Sequence, residues 1–273
     1  MGTFIGHTLN GTFLFVFGTW WTFAAWRNYF RSRESKKPYV CRCSYPVPWL
    51  SRKFSIEGIL KIVGCCASFS LESPINFGGD GFVDAESAQH RSIYAFYLLN
   101  GVVDIMHNAG FPFPPNTDYV ALMLAVTSES LQLYFHVHGR PHLDIMIHVL
   151  LVYTGAAVVT CIVAEMCRPR SVLLSLGRAY FCLVRGTWLW QIAFILYHPL
   201  PGYKPWDVNS HMDSMLAASA FAWHMMTALV YVGVLGAVAW AVNRTCGRFC
   251  NDVISVDLEE ADELGEALVK RRM

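Results

Sequence analysis

Apolar residues in this chain of 273 residues gather into seven long blocks, and that arrangement leaves few folds open. The blocks run Phe4–Trp26, Ser55–Leu71, Gln89–His107, Tyr119–Val137, Leu143–Cys167, Val172–Tyr197 and Met212–Val242. A helix needs roughly 20 apolar residues to cross bilayer hydrocarbon, and most of these runs have about that length. A water-soluble reading would have to bury all of them in one core, which does not suit a chain of this size. Spanning strands would need only about ten residues each and would alternate in character, so the runs read as helices. The expected fold is all-α: a polytopic membrane protein with a seven-transmembrane-helix bundle over 1–243 and a flexible, acidic, cytosolic tail over 244–273. Composition agrees, since 54% of residues are hydrophobic and 15% charged, against about a quarter charged in soluble domains. A net charge of +1 offers nucleic acid no electrostatic footprint. Three blocks are interrupted by polar groups: Glu57 and Lys61 in the second, Asn100 and Asp104 in the third, Arg178 and Arg185 in the sixth.

Loop charge sets the orientation. The first connection carries Arg27, Arg31, Arg33, Lys36, Lys37, Arg42, Arg52 and Lys53 against Glu34 alone, which places it in the cytosol. The N-terminus is then lumenal and the tail cytosolic. "ESPINFGGDGFVDAES", without Lys or Arg, suits the lumenal side, and Arg168, Arg170, Arg244 and Arg248 suit the cytosolic one. Arg178 lies near the cytosolic end of its run and is expected to snorkel. The first block is not a cleavable signal, having no basic residue ahead of it and more length than a signal core. None of the nine cysteines falls in an expected lumenal loop, so reduced thiols are expected. Cys246 and Cys250, just past the last block, are palmitoylation candidates, and the tail is a candidate surface for cytosolic adaptor proteins. No heptad or small-xxx-small stripe specifies an oligomer.

The stretch "FHVHGRPHLDIMIH" puts four histidines and an aspartate between Phe135 and His148. Helical rise of ~1.5 Å per residue separates them in depth. His136, His138 and His142 belong near the lumenal surface, whereas His148 lies about 10 Å below it, one turn from Asp144 on the same face. Glu129, roughly 13 Å down, and Gln191, about 10 Å down, stand at nearly the level of His148; Asp104 and His224 lie deeper, at roughly 20 Å. Ionisable groups inside a bilayer are costly and face a partner or a cavity. Glu129, Asp144, His148, Gln191, Asp104 and His224 are therefore expected to form a buried polar cluster. Imidazole with carboxylate suits zinc, for which Glu129, His148 and His224 are the candidate ligands. Eight of the ten histidines fall in the lumenal half, which makes that half sensitive to mildly acidic pH.

Four stretches taken together, "MGTFIGHTLNGTFLFVFGTWW", "FHVHGRPHLDIMIHVLL", "GTWLWQIAFILY" and "FAWHMMTALVYV", resemble the transmembrane protein 45 family over nearly the whole chain. Gln89-His90 departs from the His-His pair associated with that family. The resemblance implies a seven-span protein of the Golgi and endolysosomal membranes and implies no settled activity. Three function classes follow. The first is a trafficking or scaffold protein of those membranes, which needs only the fold, the bilayer and the tail. The second is a proton-coupled transporter using Glu129, His148 and Asp104. The third is a zinc-dependent membrane hydrolase acting on a lipid-like substrate, as seven-span amidohydrolases of the alkaline ceramidase kind do. The chain lacks the close His-x-x-x-His pair those enzymes carry in the last span, since His211 and His224 are too far apart.

Overall fold

The computed structural model of the chain describes residues 3–47, 55–71, 85–198, 201–202 and 204–246. Seven α-helices stand among the described residues, and no strand: α1 (Phe4–Ser35), α2 (Ile56–Leu71), α3 (Ala85–Asn108), α4 (Thr117–His136), α5 (His142–Cys167), α6 (Val172–Tyr197) and α7 (His211–Cys246). Each apolar block is thus a helix, and the differences lie at the ends. Hydropathy stops α1 at Trp26, where charged residues begin, but the backbone ladder runs on to Ser35 and ends at Lys36, in left-handed conformation with φ 57°. Charge marks where lipid would end; it does not break the hydrogen bonds of a helix. At the other end, the Thr3 hydroxyl accepts from the Gly6 N–H and caps the first turn.

By length and composition α5, α6 and α7 can cross a membrane. The remaining helices are shorter or more polar; α2 has 16 residues. α6 is the centre of the bundle. α1 lies along it in the most extensive helix contact, α5 and α7 pack on its other sides, and α2, α3, α4 and α5 pack in chain order around the rest. α7 is the outermost helix, with Met215, Leu216, Trp223, Met226, Leu229, Val230, Val234 and Val238 exposed. That apolar face suits lipid tails, and the chain is a membrane protein in contact with the bilayer.

Glycine sets two of the helix crossings. A Cβ on Gly11 would stand 2.8 Å from the Gly186 carbonyl oxygen, and one on Gly186 would stand 2.6 Å from the Phe15 backbone nitrogen. α1 and α6 therefore meet backbone to backbone, which explains the extent of their contact. α2 and α3 repeat the device. A Cβ on Gly58 would lie 2.7 Å from the Gly101 oxygen, and one on Gly101 2.9 Å from the Gly58 oxygen.

After α1 the chain doubles back as an extended strap. Tyr39, Cys41, Cys43 and Tyr45 point inward and are buried, while Val40 between them is exposed. This is the period of two that an extended backbone imposes. The Cys41 N–H donates to the Pro169 carbonyl at 2.6 Å, tying the strap to the turn between α5 and α6.

Candidate functional site

The interior holds charged side chains at several depths, and nearly every one has a named partner. At the end where α5 begins, His148 Nδ1 lies 2.8 Å from Asp144 Oδ1, and Arg140 Nη1 donates to Asp144 Oδ2 at 3.1 Å. His148 is buried. Its ring centroid is 6.0 Å from that of His7 on α1 and 5.8 Å from that of His136 on α4; His136 is in turn 5.4 Å from His90 on α3. His7 also meets Tyr197 of α6 at 5.6 Å. Of the four histidines between Phe135 and His148, His136 and His148 turn inward. His138 and His142 are exposed, bonded to the Phe135 carbonyl and the Ser214 hydroxyl.

Deeper in the bundle, Glu129 Oε1 lies 2.6 Å from Arg185 Nη2, and the Tyr97 hydroxyl donates to Glu129 Oε2 at 2.6 Å. Arg185 Nη1 donates to the Leu151 carbonyl at 3.0 Å. Gly155 makes room for this group, because a Cβ there would overlap the guanidinium and the Ser130 hydroxyl. On the α2–α3 side, Lys61 Nζ lies 2.5 Å from Asp104 Oδ2. Beyond it Glu57 accepts three N–H bonds, from the indoles of Trp20 (2.8 Å) and Trp21 (3.0 Å) and from the backbone of Tyr45 (2.8 Å).

The strap end closes on a second arginine. Arg178 Nε donates to Glu165 Oε1 at 2.7 Å, and its other nitrogens donate to the carbonyls of Cys43 (3.2 Å) and Arg42 (2.7 Å). Its guanidinium carbon stands 4.4 Å from the centroid of Trp21. Glu165 also accepts from the hydroxyls of Tyr119 and Ser175. The expectation that Arg178 snorkels is corrected: it is fully buried. A buried carboxylate one short turn away, with two strap carbonyls, satisfies the guanidinium better than the climb to water would. In the strap itself, burial pushes the Tyr39 hydroxyl up to about 12 and raises the Cys41 and Cys43 thiols above the ordinary cysteine value. These thiols stay protonated and unreactive at neutral pH.

The expected polar cluster is thus distributed. Asp144 and His148 are together; Glu129 pairs with Arg185 and Tyr97; Asp104 pairs with Lys61. His136, rather than Glu129, comes against His148. Gln191 is half-buried on α6. His224 packs edge-on against Trp188 at 5.5 Å and lines a groove of about 410 Å³ with Thr12, Phe15, Thr187 and Trp190. Among the described residues no three His, Cys, Asp or Glu side chains are grouped to hold a metal ion, and Glu129, His148 and His224 are engaged apart from one another. Cys250 and most of the tail lie outside the described residues, as does the side chain of Cys246. Sequence reasoning missed Arg178 and Arg185 as partners of Glu165 and Glu129. The signal was present: two acids and two bases inside apolar runs have to neutralise one another. His7 and His90 were missed because depth along a helix says nothing of rotation about it.

Comparison with known proteins follows the same lines. Residues 116–237 match a family described as "Family of unknown function (DUF716)". The chain is similar to transmembrane epididymal protein 1 of Homo sapiens, 28% identical over 67% of this chain and 71% of the relative. It is similar also to the Rattus norvegicus protein of that name, 26% identical over 86% of this chain and 81% of the relative. Transmembrane epididymal protein 1A of Mus musculus is likewise 26% identical, over 86% of this chain and 81% of that protein. These matches correct the expected membership of the transmembrane protein 45 family: the relatives they bring are transmembrane epididymal proteins, and the matched family has no assigned function.

Proposed function

We propose that the chain is a seven-span, non-enzymatic membrane protein with a trafficking or scaffold role. Residues 1–243 form its transmembrane domain, with the N-terminus lumenal. The tail over 244–273 reaches cytosolic adaptor proteins, and Cys246 and Cys250 accept palmitate there. The observation that carries this reading is the closure of the interior charges. Glu129, Asp104, Asp144 and Glu165 each have a basic partner within 3.1 Å, which is the arrangement of a fixed framework. A membrane of the acidic Golgi or endolysosomal system suits the inward-turned imidazoles of His7, His90, His136 and His148.

A second reading, a proton-coupled transporter, is favoured by the succession of ionisable groups from His148 and Asp144 through Glu129 to Lys61 and Asp104. Reconstitution into liposomes loaded with a pH-reporting dye separates the two. The framework reading expects proton flux no greater than in empty liposomes, and an organelle distribution that changes when the tail is removed. A flux above that background, lost in Glu129→Gln, would overturn it in favour of the transporter.

A further inference from the structure

We propose that the α2–α3 seam is a binding site for internal water, built by Asn100, Asp104 and Lys61. Asn100 is fully buried, and neither its amide nitrogen nor its amide oxygen has a hydrogen-bond partner among the described residues. Asp104 is 2% exposed; its Oδ2 is held by Lys61 at 2.5 Å, and its Oδ1 has no hydrogen-bond partner among the described residues. The two residues are four apart on α3, so they share a face, with Cβ atoms about 5–6 Å apart. One water between them, about 2.8 Å from each, donates one proton to Asp104 Oδ1 and one to Asn100 Oδ1. A second water accepts from the Asn100 amide N–H.

The seam cannot relieve these groups by closing. Directly after Asn100, and one turn from Asp104 and Lys61, the backbones of Gly101 and Gly58 already meet, and a single added Cβ would strike the opposite carbonyl. Nor can Lys61 turn to serve Asn100 without leaving Asp104. Its ammonium is set between that carboxylate and the faces of Phe17 and Trp21, 5.9 and 6.0 Å from their centroids. A buried amide with none of its bonds made destabilises the fold at every unmade bond, and water is the ligand whose two donors and two acceptors match what is missing. The site goes beyond the framework reading and holds whether the chain is scaffold or carrier. It places a mobile proton acceptor against a buried carboxylate–ammonium pair.

The test compares wild type with Asn100→Leu, which keeps the branched four-atom skeleton of the side chain and removes the amide. A hydrated seam predicts a water O–H stretching band in the infrared spectrum that shifts on exchange into H₂¹⁸O. Asn100→Leu then abolishes that band and lowers the melting midpoint, because Asp104 loses its solvation. A dry seam predicts the reverse sign: the midpoint rises because an unsatisfied amide has been removed, and this overturns the proposal, as does a band that Asn100→Leu leaves intact. Should Asn100→Leu fail to fold, brief X-ray hydroxyl-radical labelling of the wild type decides. Oxidation of buried Phe17 beside Lys61 supports bound water, and its protection overturns the site.

Discussion

Replacing Arg178 by methionine isolates what holds the strap to the bundle. Methionine keeps the buried methylene volume, so a cavity contributes little. What is lost is a guanidinium that bonds Glu165, Cys43 and Arg42 and stacks on Trp21. Glu165 is left fully buried with only the hydroxyls of Tyr119 and Ser175. Removing one member of a buried pair costs about 3–5 kcal/mol, and the aromatic contact adds about 1 kcal/mol. That is a large share of the ~5–15 kcal/mol that separates folded from unfolded states. The double variant Arg178→Met/Glu165→Leu removes the stranded charge and should recover about half of the loss, the remainder being the two strap carbonyls left without a donor. A thermal ramp in detergent with a thiol-reactive fluorophore reads both effects, because Cys41 and Cys43 are the inward-facing, buried thiols of the strap itself. The single variant should label these cysteines at a lower temperature than wild type, with the double variant between them. If Arg178→Met leaves the midpoint and the labelling unchanged, the pair does not hold the strap; if the double variant is no better than the single, stranded charge is not the cause.

Other outcomes follow from the same geometry. Gly186→Leu should destabilise by at least about 1–3 kcal/mol in the same assay, since its Cβ meets backbone that cannot swing aside. His148→Ala breaks the contact with Asp144 and should cost about 1–3 kcal/mol, whereas exposed His142→Ala should stay within about 0.5 kcal/mol. Alkylation at neutral pH should be fast at Cys167, exposed at the end of α5, and slow at Cys41 and Cys43. Because burial raises the two strap thiols, their protection is complete below the ordinary cysteine value and is lost as pH rises through the raised one. A stopped alkylation series analysed by mass spectrometry would show similar rates at these cysteines if the strap did not dock. Tags at the two ends of the chain, probed by protease in sealed vesicles, should fall on opposite sides; finding both on one side refutes an odd number of spans.

The helices were legible because lipid-length apolar runs leave the backbone no alternative, and their ends were less so. α1 passes Trp26 because an interfacial helix tolerates arginine. Depth was legible where a residue's neighbours lie on its own helix, as with Asp144 and His148. It was misleading across helices: Glu129 was placed level with His148, and its partners are Arg185 and Tyr97. Rise per residue gives a coordinate along one axis, whereas the pairing of two side chains also needs the rotation of both helices and their offset. Those are set by crossings such as Gly11 on Gly186, which need no repeated small-residue stripe. The strap was read as a charged loop, since its inward residues Tyr39, Cys41, Cys43 and Tyr45 form too short a run for periodicity to register.

The two buried arginines of α6 bear on how the chain is made. An arginine at the centre of a membrane helix opposes insertion by about 2.5–3.5 kcal/mol, and α6, with mean hydropathy 1.3 against 2.2 for α5, has little margin to offset two. Both of its acidic partners precede it in the chain. Glu129 on α4 and Glu165 on α5 are synthesised first and are waiting when α6 leaves the ribosome. Glu165 is joined to Arg178 through the short turn after Cys167, so α5 and α6 can enter the bilayer as a hairpin that is already neutral at its base. On this view the order of charges along the gene is itself an instruction for assembly: acid first, base second, with the helix that carries both bases delivered to a prepared seat.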